Sequence, residues 1–186
     1  MQDDVSPNAA PNIDGIYFLS ILGSEIARAL DDTVGHSDSQ SYFRLVGLAL
    51  GEHIEKLCLE KTGLRALDRP QLLRFLDGLL ASLFQGRIVE ATETQLVLRG
   101  CSCSFGGCSF GASPGRRTSL CRVTTGMLGY LVAQSQGYAH VRQRDVAARG
   151  DGGCLTIIEF KSPATPSHGE EYFRRGDGPG RFHLDA

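Results

Sequence analysis

Residues 118–160 read TSLCRVTTGMLGYLVAQSQGYAHVRQRDVAARGDGGCLTIIEF, and this stretch decides the fold. Leu120, Val123, Met127, Leu128, Leu131 and Val132 recur at three- and four-residue steps, which predicts a helix from near Thr118 to Gln136. Gly137 interrupts the pattern, and Tyr138–Val146 reads as a strand. Arg149-Gly150-Asp151-Gly152-Gly153 is a turn signal, and Cys154–Phe160, with its β-branched run, predicts a final strand. Two strands joined through a turn pair antiparallel.

Upstream the pattern repeats in a different order. Ile88–Ala91 and Gln95–Leu98 are short β-prone segments separated by Thr92-Glu93-Thr94, which suits a hairpin. Three helical patterns precede it. The first starts at Asp14 and carries Ile16, Leu19, Ile21, Leu22, Ile26 and Leu30; Gly35 and Ser37-Asp38-Ser39 stop it and cap the next. The second runs from about Ser39 to Leu59 with Phe43, Val46, Leu50, Ile54 and Leu57 on one stripe, and Gly47 and Gly51 beside it permit close helix approach. The third follows Asp68, an N-cap before Arg69-Pro70, with Leu72, Leu73, Leu76, Leu79, Leu80 and Leu83 on a wide apolar face.

Strands in pairs around a helix predict an α+β fold: a three-helix N-terminal layer packed on an antiparallel sheet with one further helix, in the order ααα-ββ-α-ββ. Residues 1–12 read as a flexible leader, 13–160 as one domain, and 161–186, with four glycines and three prolines, as a mobile tail.

At 186 residues, 41% apolar and 22% charged, the chain has the composition of a globular domain able to bury a core. No run of 18 apolar residues suggests a membrane span, and Met1-Gln2-Asp3-Asp4 lacks the basic flank of an export signal. The expected location is therefore the cytoplasm. The formal charge is −2, so no global polycation argues for nucleic acid. Charge is nonetheless unevenly placed: residues 1–40 hold seven acidic side chains and one basic, while residues 99–150 hold seven arginines and one acid, Asp145. Such asymmetry suits head-to-tail or dimer contacts, or an anionic ligand near the cysteine-rich loop; a plain solvated arginine face is the preferred reading.

Five of the six cysteines fall between 101 and 154: Cys101, Cys103, Cys108, Cys121 and Cys154. In a reducing compartment clustered thiols serve as metal ligands, redox groups or buried small hydrophobes more often than as crosslinks. A metal stabilises thiolates at neutral pH and releases their protons. Thiolate-rich tetrahedral sites suit zinc or an iron–sulfur cluster, and zinc is preferred here because no ferredoxin spacing occurs. Asp145, just before the turn, is a further candidate. Cys58, between Leu57 and Leu59, reads as a core thiol. Acid–base catalysis finds little support: the five histidines show no zinc-protease spacing, and no Gly-x-Ser-x-Gly elbow exists. The chain is not expected to be an enzyme.

Several short motifs together resemble the methanogen output domain family and, more distantly, the 4-vinyl reductase superfamily of sensor domains. They are Cys108-Ser-Phe-Gly111, Leu120-Cys121-Arg-Val-Thr124, Met127-Leu-Gly129, Gly137-Tyr138-Ala139, Ala148-Arg149-Gly150-Asp151 and Cys154. The family's first piece is usually Cys-Pro-Phe-Gly. Cys108 lies thirteen residues before Cys121, at the family's offset, whereas Cys103-Ser-Phe-Gly106 looks like a local duplication. The resemblance implies an α+β sensor or output module, often dimeric. In the aromatic-sensing members, cysteines and a glutamate hold zinc beside an apolar ligand pocket, at positions matching Cys121, Asp145, Val146 and Cys154. Val146 replaces a cysteine and Asp145 the glutamate. Cys108 restores the count, giving Cys108, Cys121 and Cys154 plus Cys103, Cys101 or Asp145. Phe110, Met127 and Asp145 are the residues expected near a small ligand.

These readings lead to a small cytoplasmic sensor that binds a metal or cluster and signals through a protein partner, as a homodimer, without touching nucleic acid or membrane. Two alternatives stay open. One is a metal-free thiol redox switch in which Arg99, Arg116 and Arg117 lower a nearby thiol pKa. The other is an accessory protein of tetrapyrrole or cofactor metabolism.

Overall fold

A computed structural model describes residues 15–100, 119–145, 154–162 and 168–176. The elements are α1 (Gly15–Val34), α2 (His36–Thr62), α3 (Arg69–Phe84), β1 (Arg87–Ala91), β2 (Gln95–Gly100), α4 (Cys121–Gln136), β3 (Tyr138–Asp145), β4 (Cys154–Glu159) and β5 (Glu170–Phe173). The fold is α+β, and the five strands form one antiparallel sheet in the order β1-β2-β4-β3-β5.

Local chemistry explains most boundaries. Asp68 caps α3 as expected: its carboxylate accepts from the Gln71 backbone N–H at 2.8 Å, and the Gln71 side chain accepts from the Asp68 N–H at 2.9 Å. Gly35 separates α1 from α2 at φ 86°, a left-handed conformation that favours glycine. It also occupies the N-cap of α2, which receives no side-chain cap. Ser37, Asp38 and Ser39, expected to cap that helix, lie inside it instead. The glycine alone reverses the chain.

The core explains which expected stripes are real. Leu72, Leu76, Leu80 and Phe84 of α3 meet Leu96 and Leu98 of β2, Met127, Leu128, Leu131 and Val132 of α4, Val141 of β3 and Ile158 of β4. The helix at the centre is α4, buried without interruption from Val123 to Gly129. On α2 the buried line is Ser39, Phe43, Gly47 and Gly51, so Val46 and Leu57 of the expected stripe are exposed. Gly47 and Gly51 do mark a close helix approach, against α4. A smaller cluster joins Ala27, Phe43, Leu120 and Val123. α1 joins the core through Ala27, and most of its described side chains are exposed.

One further strand departs from expectation. Residues 170–173, expected to belong to a mobile tail, form β5 on the free edge of β3, with Tyr172 buried against Gly129. Arg174 donates to the carbonyls of Gln134 and Ser135, both at 3.0 Å. No described helix is long and apolar enough to cross a membrane.

Candidate metal centre

The sheet register collects the residues of interest. Gly100, the last residue of β2, pairs with Cys154, the first of β4; Cys154 pairs on its other side with Asp145, the last of β3. Partners across a ladder share a face. Moving along β4 in steps of two from Cys154 leads to Thr156 and then Ile158, which lies in the core with its partners Leu96 and Val141. Cys154 therefore occupies the helix-covered face, at the end of the sheet where β2 runs into Cys101.

The fourth helix brings Cys121 to the same end. Near the start of α4, Arg122 pairs with Glu170 at 2.8 Å and Thr125 donates to the same carboxylate at 3.3 Å. Glu170 is in register with Val141, and the other end of α4 sits beside Arg174. The helix thus runs antiparallel to β3. Sixteen helical residues span about 24 Å and eight strand residues about 26 Å. Gly137 joins the far ends at φ 91°, so Cys121 lies beyond the level of Val141, toward the end of β3 that Asp145 closes.

The thiol environments are distinct. Cys154 and Cys121 are both half-buried. A Cβ placed on Gly100 would lie 3.5 Å from the Cys154 sulfur and 3.7 Å from Phe84 Cβ, so the thiol sits over a bare stretch of β2 beside the end of α3. Burial, followed by the charge of Glu55, pushes the Cys58 thiol up, away from reactive thiolate. Cys58 packs against the main core, as a structural thiol does.

Cys101, Cys103, Cys108 and Phe110 lie outside the described residues, as does Val146. Among the described residues no group of three or more His, Cys, Asp or Glu side chains is arranged to hold a metal. Met127, expected near a ligand, is 1% exposed and packed into the core. An open cleft of about 460 Å³ lies elsewhere, lined by Glu52, Glu55, Lys56, Leu59, Tyr130 and Arg175. Burial raises the Glu55 carboxyl, and burial together with Glu55 raises the Tyr130 hydroxyl, which donates to Glu55 at 3.2 Å.

Two residues before Cys121, a polar brace holds the entrance to α4. The Ser119 hydroxyl, fully buried, donates to Asp31 at 2.7 Å and lies 3.2 Å from His36 Nδ1. His36 Nδ1 lies 3.2 Å from Asp31, and Gln40 bonds its Nε2 at 2.8 Å. The residue types are those of a hydrolytic triad, but the serine is sealed from solvent and donates to the acid, and one imidazole nitrogen, Nδ1, faces both Ser119 and Asp31 where a triad uses opposite nitrogens. The group ties the end of α1 and the start of α2 to the start of α4. Pattern reading misses it because Ser119 stands 83 and 88 positions from its partners.

Burial opposes the charge on Asp31, but the neighbouring Ser39 and Ser119 hydroxyls and His36 outweigh it and hold the carboxyl below its ordinary value of 3.8. A carboxyl depressed in the folded state contributes stability above its unfolded value and loses it as pH falls through the folded one. Urea midpoints measured against pH are therefore expected to show wild type ahead of Asp31→Asn at neutral pH. That lead should shrink below about pH 3.8. A constant difference across the range would remove the brace from the stability of this corner.

Comparison with protein-family models and with curated proteins finds no match.

Proposed function

We propose that the chain is a small sensor or regulatory domain that binds zinc at the cysteine-bearing end of its sheet and passes its state to a protein partner. The observation that carries the reading is the row Gly100–Cys154–Asp145 across three adjacent strands, with Cys121 at the start of α4 on the same end. Cys101 follows Gly100 directly, and Cys103 and Cys108 follow within eight residues. Thiolates from a strand start, a helix start and a short cysteine-rich segment form a soft donor set, which fits zinc. Cys121 and Cys154 are the two ligands assigned from the framework. The remaining positions go to Cys108 with Cys101, Cys103 or Asp145. Metal at this end would tie α4 to β4, and its loss would loosen the start of α4, including the Asp31–His36–Ser119 brace. That linkage is the regulatory step: metal state changes the helix corner rather than a reacting substrate.

The test is elemental analysis and absorbance of protein purified without oxygen. One zinc per chain is expected, falling to background in Cys121→Ala and Cys154→Ala, with lower melting temperatures in both. Iron with sulfide and a broad visible shoulder would replace zinc by a cluster at the same ligands. Metal-free, folded protein whose two variants melt like wild type would overturn the proposal. A reversible disulfide after mild oxidation would then favour the redox switch.

A further inference from the structure

We propose that the sheet face turned away from the helices carries, at its cysteine-bearing end, a docking row for an extended acidic segment of a partner protein, held by Arg87, Arg99 and Arg144. The strand register builds the row. Arg87 of β1 pairs with Arg99 of β2, Arg99 pairs with Leu155 of β4, and Leu155 pairs with Arg144 of β3. Partners across a ladder share a face, so the four residues form one line across four strands. Ile88 and Leu98, the chain neighbours of Arg87 and Arg99, belong to the helix-covered face, and alternation along each strand puts the arginines on the other. The line lies one residue in from Gly100, Cys154 and Asp145, on the reverse side of the sheet.

Electrostatics argues for an anionic occupant. Arg87 and Arg144 are exposed, and Arg99 and Leu155 are half-buried. Arg87 and Arg99 stand directly opposite each other, an arrangement of like charges that costs a sheet stability. No ion pair reaches Arg87 or Arg144 among the described residues. One row further along, Arg142 is compensated by Glu159 at 2.6 Å. Carboxylates laid across the row would remove the repulsion, and the planar fork of a guanidinium binds a carboxylate through two parallel hydrogen bonds. Dimensions give the occupant its form. The row crosses three strand spacings of about 4.8 Å, roughly 14 Å in all, which about five extended residues span. Alternate side chains of such a segment face the sheet, so acids at its first, third and fifth positions meet the three arginines.

Other anions fit less well. Glu90 pairs with Val97, and Glu159 and Glu171 flank His140 on neighbouring strands, so carboxylates stand on this face beyond the arginine row. A nucleic-acid strand or an anionic bilayer spreads its charge over a wider area and would meet them; a short segment crossing the strands does not. A surface that binds single strands also sets aromatics among its cations. Here Tyr138 and Phe173 pack edge to face at 5.4 Å on the far side of Glu171. A single oxyanion is shorter than the row. This surface rests on the reading that the chain acts through a protein partner and names that partner's chemistry; it does not rest on the metal.

The probe is a fluorescein-labelled peptide, Gly-Glu-Val-Glu-Val-Glu-Gly, titrated with the full chain and followed by anisotropy. Saturable binding is expected, weakening about tenfold from low to high salt. Arg87→Glu with Arg144→Glu should weaken it by at least about tenfold. Lys61→Glu with Arg74→Glu, an equal charge change at exposed helical positions, should leave it within about twofold. Equal binding by the Arg87 and Arg144 double variant, or equal binding of a peptide with Gln for Glu, overturns the proposal. So does binding of labelled oligouridylate where the peptide fails. If the double variant does not fold, backbone chemical shifts of wild type decide: changes centred on residues 87, 99, 144 and 155 as peptide is added support the row, and changes only elsewhere overturn it. Metal-free protein that binds the peptide supports this surface and leaves only the zinc reading to fall.

Discussion

Gly47→Ala is expected to destabilise the protein by about 2–3 kcal/mol, although the same change in an open helix would help. Replacing a helical glycine by alanine normally gains up to about 1 kcal/mol in propensity and unfolded-state entropy. At position 47 packing reverses the sign. A Cβ there meets the Val123 carbonyl oxygen far inside van der Waals contact, and Gly126 Cα at 3.0 Å. Both are backbone atoms of the central helix, so relief requires α2 and α4 to move apart along their whole seam. Overpacking of this kind costs roughly 1–3 kcal/mol and occasionally more. Gly126→Ala should behave alike, since its Cβ would press on the Arg44 carbonyl and lie 3.2 Å from Gly47 Cα. Gly78→Ala is the control: nothing lies within 4 Å of a Cβ at that exposed site on α3. It should raise stability by about 0.5–1 kcal/mol. Chemical denaturation of the three variants measures this directly. Equal and favourable shifts at 47 and 78 would show that the two helices are not in close contact.

Leu76→Ala is expected to cost about 3 kcal/mol within the 2–5 kcal/mol range for a buried leucine, a fall in melting temperature of roughly 6–12 °C. Leu76 is fully buried in the cluster shared by α3, α4 and the sheet, and the change removes three carbons from it. Leu83, on the same helix and 38% exposed, should cost under about 1 kcal/mol when changed to alanine. Thermal melts of the pair decide it. Comparable losses at both positions would mean that the apolar face of α3 is buried more broadly than the sheet allows.

The same pair shows where pattern reading stops. Leu72, Leu73, Leu76, Leu79, Leu80 and Leu83 are equivalent leucines in a periodic segment, and only contact with β2 and α4 separates Leu72, Leu76 and Leu80 from the rest. Asp68 is legible because a capping box is local: donor and acceptor lie three residues apart. The α2 boundary misleads because Gly35 can adopt a positive φ on its own, which leaves the serines after it nothing to cap. β5 is hidden among glycines and prolines since four residues cannot announce a strand; Tyr172 is held by Gly129 and by Glu170, which accepts its hydroxyl at 2.5 Å. At the candidate centre, the cysteines and Asp145 stand out in the sequence, but their juxtaposition depends on a ladder register joining positions 100, 145 and 154.

Short-range choices are written in the chain locally: an α+β order, the spans of four helices and four strands to within a few residues, the Asp68 cap, and the concentration of thiols after Gly100. These follow from dihedral preference, periodicity and neighbouring hydrogen bonds, which act over a few residues. The tertiary structure alone decided that α4 is the central helix, that β5 closes the β3 edge, and that Asp31, His36 and Ser119 share one corner. It also decided that α1 keeps an apolar stripe in water. The physical reason is that burial is a property of what packs opposite a residue. For this chain that partner lies tens of positions away.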